Sequence, residues 1–125
     1  MANKQNDIKP VSIRLGDDGK PMGVRIRALD EDFTIALNDT PNKYVGIEVR
    51  ENYQLPTKKQ ALLICAYLDD VQSTLKEAGG DVLNGVYLTC ADYYANGTWS
   101  FNSTYGCLFS YTRYYHGFRS RSVLA

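Results

Sequence analysis

The chain has 125 residues, enough for one domain with a real hydrophobic core and too few for two. Fourteen Lys and Arg balance fourteen Asp and Glu, giving a formal net charge of +0; without a basic face there is no counterion-release drive toward nucleic acid or an anionic membrane surface. No apolar run approaches the roughly 20 residues of a membrane span, and residues 1–6 lack the apolar centre of a signal peptide.

The N-terminal half alternates as strands do. In Val11-Ser12-Ile13-Arg14-Leu15 every second residue is apolar, and Val24, Ile26 and Ala28 alternate with Arg25 and Arg27. Between the two runs lies Gly16-Asp17-Asp18-Gly19. Glycine there takes φ > 0 and aspartate bonds the turning backbone, so a hairpin is expected and the Asp pair is read as turn chemistry, not as a metal site. Further strands are expected at Phe33 to Leu37 and at Tyr44 to Val49.

A helical region follows. Pro56 ends the preceding extended piece, and Thr57 with Gln60 forms a capping box. Leu62, Cys65, Leu68, Val71, Leu75 and Ala78 then recur at three- and four-residue steps, an apolar stripe one face wide, before Gly79-Gly80 ends it. Asp69-Asp70 can cap a second short helix, so the region is either one bent helix or two. Three cysteines, Cys65, Cys90 and Cys107, are an odd number without C-x-x-C spacing and are expected to be free thiols. Cys65, on the apolar stripe, is read as a small buried hydrophobe.

From Tyr87 to Phe118 the composition changes. The segment is crowded with Tyr, Phe, Ser, Thr, Asn and Gly and contains no Lys, Gln, Glu or Met, although Glu51 to Glu77 is rich in several of these. One reading is an aromatic, β-rich half of the core, because strands favour such residues for packing. The other is a binding surface like an antibody paratope: Tyr offers a large, fairly rigid contact face with a polar tip, and Ser, Asn and Gly supply adaptable hydrogen bonds around it. As a group the aromatics exceed what a small core can hold. The candidate contacts are Tyr93, Tyr94, Asn96, Asn102, Tyr105, Phe109, Tyr111, Arg113, Tyr114, Tyr115 and His116. Removing Tyr111 and Tyr114 is expected to abolish binding and spare thermal stability. Trp99, Phe101, Gly106, Leu108 and Val123 are assigned to scaffold. Arg119 and Arg121, alternating with Ser120 and Ser122 on an expected final strand, are assigned to structural ion pairs.

An ordered set of short pieces carries a family resemblance. Phe33-Thr34-Ile35-Ala36-Leu37-Asn38-Asp39, Leu55-Pro56-Thr57, Leu75-Lys76-Glu77-Ala78-Gly79-Gly80, Tyr87-Leu88-Thr89-Cys90-Ala91-Asp92-Tyr93, Trp99, Gly106 and Arg119-Ser120-Arg121-Ser122-Val123 span nearly the whole chain. In this order they resemble the C-type-lectin-like domains related to formylglycine-generating enzymes, including the variable proteins of diversity-generating retroelements. Many relatives read Trp-Ser-Ser-Thr-Glu where this chain has Leu88-Thr89-Cys90-Ala91-Asp92. The Glu-Pro-Asn, Gln-Pro-Asp and Trp-Asn-Asp calcium signatures of sugar-binding lectins are absent, so no metal or cofactor is expected.

The resemblance implies a single α+β domain over residues 1–125, a C-type-lectin-like fold with short helices packed on small antiparallel sheets. Its C-terminal strands and loops would display the binding surface. In relatives diversified by a retroelement, scrambling acts on AAC-like codons whose third base stays a pyrimidine; these cannot encode Lys, Gln, Glu, Met or Trp. Every residue from Tyr87 to Phe118 except Trp99 fits that set, and Trp99 is where relatives carry a fixed aromatic. The implied function is non-enzymatic recognition of a surface protein or glycan, on a phage virion or bacterial cell surface, with a homo-oligomer as a possible mount. Two other classes stay open: a fixed oligomer-forming subunit, and an oxidoreductase in which Cys90 and Cys107 would have to meet.

Overall fold

The computed structural model describes residues 9–39, 53–92, 97–112 and 117–124. In chain order its elements are β1 (Val11–Leu15), β2 (Pro21–Ala28), β3 (Glu31–Ala36), β4 (Tyr53–Gln54), α1 (Lys58–Ala66), α2 (Leu68–Glu77), β5 (Val86–Asp92), β6 (Gly97–Asn102), β7 (Cys107–Thr112), β8 (Phe118–Arg119) and β9 (Val123–Leu124). They form a mixed α+β fold with two helices and two small sheets, ordered β1-β2-β3-β9-β4 and β7-β6-β5-β8. The strand expected at Tyr44 to Val49 lies outside the described residues.

Alternation builds the first sheet. Val24 and Ile26 on β2 and Phe33 and Ile35 on β3 turn inward and are buried, while Arg25 on the opposite face makes a two-pronged bond to Asp32 at 2.8 and 2.7 Å. The β1–β2 hairpin closes as its turn residues dictate: Gly19 sits at φ 78°, its amide donates to the Gly16 carbonyl, and Asp18 Oδ1 accepts from the Lys20 amide.

The helical region is two helices, broken at Tyr67, which ends α1 and begins α2. The capping box is formed: Thr57 Oγ1 accepts from the Gln60 amide at 3.1 Å, and Gln60 Oε1 accepts from the Thr57 amide at 2.9 Å. Asp69 and Asp70 lie inside the first turn of α2, where they complement the helix dipole, while Tyr67 holds the cap position. One part of the expected stripe is corrected. The inward face of α1 is Gln60, Ala61, Leu63 and Ile64, and Leu62 is 51% exposed. The break at Tyr67 resets the helical phase, so the spacing that fits α2 through Val71 and Leu75 does not extend back into α1. Gly79, at φ 81°, ends α2 in a Schellman motif: the Gly80 amide donates to the Leu75 carbonyl and the Gly79 amide to that of Lys76.

The helices lie between the sheets. α2 packs against β1 and β2, and α1 against β5, β6, β7 and β2. The main core joins Val24, Ile26, Phe33 and Ile35, the helix residues Ile64, Val71 and Leu75, and Tyr87 and Phe101 of the second sheet. Tyr87 and Phe101 stack with ring centroids 5.2 Å apart.

The C-terminal stretch differs from the expected single strand. β8 pairs with β5 in the second sheet, and in parallel, so that sheet is mixed and not purely antiparallel. Four residues later β9 enters the first sheet between β3 and β4. Arg121 lies at this crossing, 2% exposed, with Asp39 Oδ1 2.9 Å from its terminal nitrogen. It also donates to the carbonyls of Leu37 at 3.0 Å and Asp81 at 2.6 Å. Tyr87 donates its hydroxyl to the same carboxylate at 2.9 Å, and Arg119, half-exposed, reaches the other oxygen at 3.2 Å. Both arginines are thus ion-pair partners of one aspartate, and the buried one ties three separate chain segments together.

Candidate functional site

The second sheet has two faces, and the strand period sorts the aromatic-rich segment between them. Tyr87, Phe101 and Leu108 turn toward the helices and the main core. On the opposite face the pairings Leu88↔Ser100↔Phe109 and Thr98↔Tyr111 set Leu88, Phe109 and Tyr111 side by side. A small second core of Val86, Leu88 and Phe118, with Leu55 and Tyr111 packed against it, lies there too.

A row of rings runs outward from this second core. Phe118, buried, meets Tyr111 at 5.8 Å between centroids; Tyr111 meets Phe109 at 6.2 Å; Phe109 meets Tyr105 at 6.4 Å. All three contacts are edge-to-face, with interplanar angles of 76, 80 and 78°, a geometry worth about 0.5–1.5 kcal/mol per pair beyond area burial. Exposure rises along the row: Tyr111 is half-buried, Phe109 is 42% exposed and Tyr105 74%. The inner rings therefore hold the outer ones in place, and the outer ones face solvent.

The β6–β7 turn positions Tyr105. Asn102 Oδ1 accepts from the Thr104 and Tyr105 amides at 2.8 and 3.3 Å, and its amide nitrogen donates to the Tyr111 hydroxyl at 3.4 Å. Gly106, at φ 68°, donates its amide to the Asn102 carbonyl and closes the turn. At the middle of the same face, Ser100 is fully buried and its hydroxyl has no hydrogen-bond partner among the described residues.

A concavity adjoins the turn. It has a volume of about 460 Å³ and lies between the α1–α2 junction and the β6–β7 turn, lined by residues 65–70 together with Tyr105 and Gly106. The turn seats closely on the junction: a Cβ on Gly106 would stand 3.4 Å from Leu68 Cδ2.

Of the residues expected at the site, the fold brings Tyr105, Phe109 and Tyr111 into one row and places Asn102 beneath it. Asn102 is committed to the turn and to Tyr111, and Tyr111 is part scaffold because it packs on the second core. Tyr93, Tyr94, Asn96, Arg113, Tyr114, Tyr115 and His116 lie outside the described residues. Among those assigned to scaffold, Phe101 and Val123 are in the core, Leu108 packs against it, and the Lys58 ammonium rests 4.1 Å above the Trp99 ring. The cleft around Tyr67, Asp69 and Asp70 was not legible in the sequence, where the Asp pair reads as a helix start. It becomes a feature only when Tyr105, more than thirty positions later, closes it.

The three cysteines are free. Burial, helped by nearby Cys107, pushes the Cys65 thiol up to about 12. Cys107 begins β7 opposite Asn102, and Cys90 lies in the irregular stretch of β5 between Leu88 and Asp92, with β6 between them. Two strand spacings of about 4.8 Å plus roughly three residues of about 3.3 Å put their Cα atoms more than about 10 Å apart, beyond disulfide reach. No group of three or more potential metal ligands occurs among the described residues, and no helix there is long and apolar enough to cross a membrane. A scan against protein-family models finds no match, and a search of curated proteins finds none either.

Proposed function

We propose that this protein is a non-enzymatic binding domain of C-type-lectin-like fold that recognises a surface protein or glycan through its aromatic face. On this reading the segment from Tyr87 to Phe118 is diversified by a retroelement, and the domain works on a phage virion or bacterial cell surface. The observation that carries the proposal is the graded row from Phe118 to Tyr105, in which Phe109 and Tyr105 are solvent-facing yet held by rings behind them. Preformed aromatic surface binds with little ordering cost, because few rotamers remain to be frozen. The division of the segment supports the same reading: Tyr87 and Phe101 are buried in the main core, while Phe109 on β7 and Tyr105 in the turn before it are exposed.

The test is sequencing of the gene's 3′ third across its source population, with a search of the flanking DNA for an imperfect repeat. Substitutions concentrated at Tyr105, Phe109 and the other outward positions, with Tyr87, Phe101 and Phe118 constant, are the expected result. A uniform segment without a repeat overturns the diversification. The oligomer-subunit reading has one observation of its own: among the described residues β7 stands at the edge of its sheet, where strands from different chains pair. Light scattering of the Phe109→Ser variant separates the two, since only an interface residue changes the mass.

A further inference from the structure

Among the described residues four strands end the two sheets, and they are not alike. An edge strand presents backbone donors and acceptors that another strand can pair, and natural proteins blunt it with a charged residue, a proline, a bulge or a very short strand. The first sheet ends in β1, which carries Arg14 and a break in register between Arg14 and Leu15, and in β4, which has only two residues. The second sheet ends on one side in β8, also of two residues. On the other side stands β7, which has none of these devices. It runs six residues, Cys107 to Thr112, without a charge, a proline or a shift in its pairing with β6. Phe109 and Ser110, at its centre, are exposed.

An edge of this kind accepts a strand of similar length that brings no opposing charge. A second β7 is such a strand. Two uncharged strands meet without like-charge repulsion, and a net charge of +0 gives whole copies no tendency to repel. Antiparallel pairing about a two-fold axis covers both edges at once, because each copy offers the surface that the other needs. The blunted ends then limit growth. With β7 as the one unprotected edge among the described residues, assembly closes at two copies and does not continue into a fibre.

We propose that a second copy of this chain pairs antiparallel with β7, so that the two four-stranded sheets become one continuous sheet. This goes beyond both functional readings above, since the contact is the main chain of the strand edge and not the rings. Residues directly opposite in an antiparallel pair point to the same face, so Phe109 of each copy lies on the same side of the joined sheet. The pair presents the aromatic row twice, and a target with repeated sites is held more tightly through effective concentration.

The experiment is light scattering of the full chain across concentrations, with amide hydrogen exchange on the same samples. The expected mass is twice 14.1 kDa at roughly 100 μM, falling toward 14.1 kDa on dilution to about 1 μM. Exchange at alternate amides of β7 should slow about tenfold in the concentrated sample, a readout that needs no variant. Ser110→Lys, at an exposed position, should be a monomer with unchanged circular dichroism, whereas Ser12→Lys, the same change at an exposed position of β1, should keep the doubled mass. A mass of 14.1 kDa at about 100 μM, exchange in β7 that ignores concentration, or a folded Ser110→Lys protein of doubled mass would each overturn the proposal. A mass that falls with Phe109→Ser but not with Ser110→Lys also overturns it, by moving the contact to the rings. Failure here is distinct from failure of the aromatic-face reading: a monomer from a population that varies at Phe109 leaves that face standing, and a β7 dimer in an invariant gene leaves the pairing standing alone.

Discussion

Replacing Arg121 with Met tests whether the crossing between the sheets is held by one buried cation. Methionine keeps most of the aliphatic stem, so the loss is chiefly the guanidinium and not a large cavity. The change removes the bonds to Asp39 and to the carbonyls of Leu37 and Asp81. Removing one partner of a buried ion pair costs about 3–5 kcal/mol. The Asp39 side chain is 28% exposed and keeps Tyr87 and Arg119 as donors, which places the cost near the lower figure, about 3 kcal/mol. With an unfolding entropy of roughly 2.1 cal/mol/K per residue over 125 residues, that lowers Tm by about 11 °C. Arg119→Met is the control: a half-exposed pair with the same aspartate, worth up to about 1 kcal/mol, or roughly 4 °C. Urea unfolding followed by circular dichroism, with thermal melts on the same samples, gives both numbers. An Arg121→Met protein within about 1 kcal/mol of the parent, or an Arg119→Met protein equally weakened, would refute the assignment of the buried guanidinium as the tie.

Along the aromatic row, Tyr105→Ser, which loses one edge contact, should cost about 0.5 kcal/mol and Phe109→Ser, which loses two, about 1 kcal/mol, while Tyr111→Ala should cost roughly 2 kcal/mol because its ring packs on Phe118; chemical denaturation of the three variants reads the gradient directly. Ser100→Ala should be neutral or raise stability by up to about 1 kcal/mol, since it removes a buried hydroxyl without a partner, and a clear fall in the urea midpoint would reveal a partner. Cys65 should resist iodoacetamide at about pH 8 while exposed Cys90 reacts, as peptide mass mapping of the alkylated protein would record. Burial raises the Cys65 thiol from 9.0 to about 12, so the stability linked to its neutral form is fully present below 9.0 and is lost as pH rises toward 12. Tyr87, also raised by burial, adds a loss in the same direction above 10.0; urea midpoints should therefore fall on the alkaline side, less steeply for Cys65→Ala.

The parts of this fold that were legible are those fixed by near neighbours. The β1–β2 hairpin follows from alternation plus Gly16 to Gly19, and the start of α1 from a reciprocal bond between Thr57 and Gln60 three positions apart. The face of α1 was not legible, because Leu62 continues the α2 spacing backward and only the break at Tyr67 shows that the two phases are independent. Arg119 and Arg121 were recognisable as ion-pair partners, but Asp39 stands about eighty positions away, and no local pattern says that one arginine is buried and the other open. The aromatic segment announced itself by composition. Which of its rings face out depends on register with β6, which turns Phe101 inward and Phe109 outward. Asn102 was within reach of sequence reasoning, since a side chain that binds amides two and three residues ahead is a local turn device.

The passage of residues 118–124 from one sheet to the other also sets when the first sheet can close during synthesis. During synthesis β3 and β4 have no common partner, and Asp39 no buried cation, until residues 121 to 124 have left the ribosome. A copy interrupted anywhere between Tyr87 and Phe118 lacks both and cannot close the first sheet, however sound the strands before it.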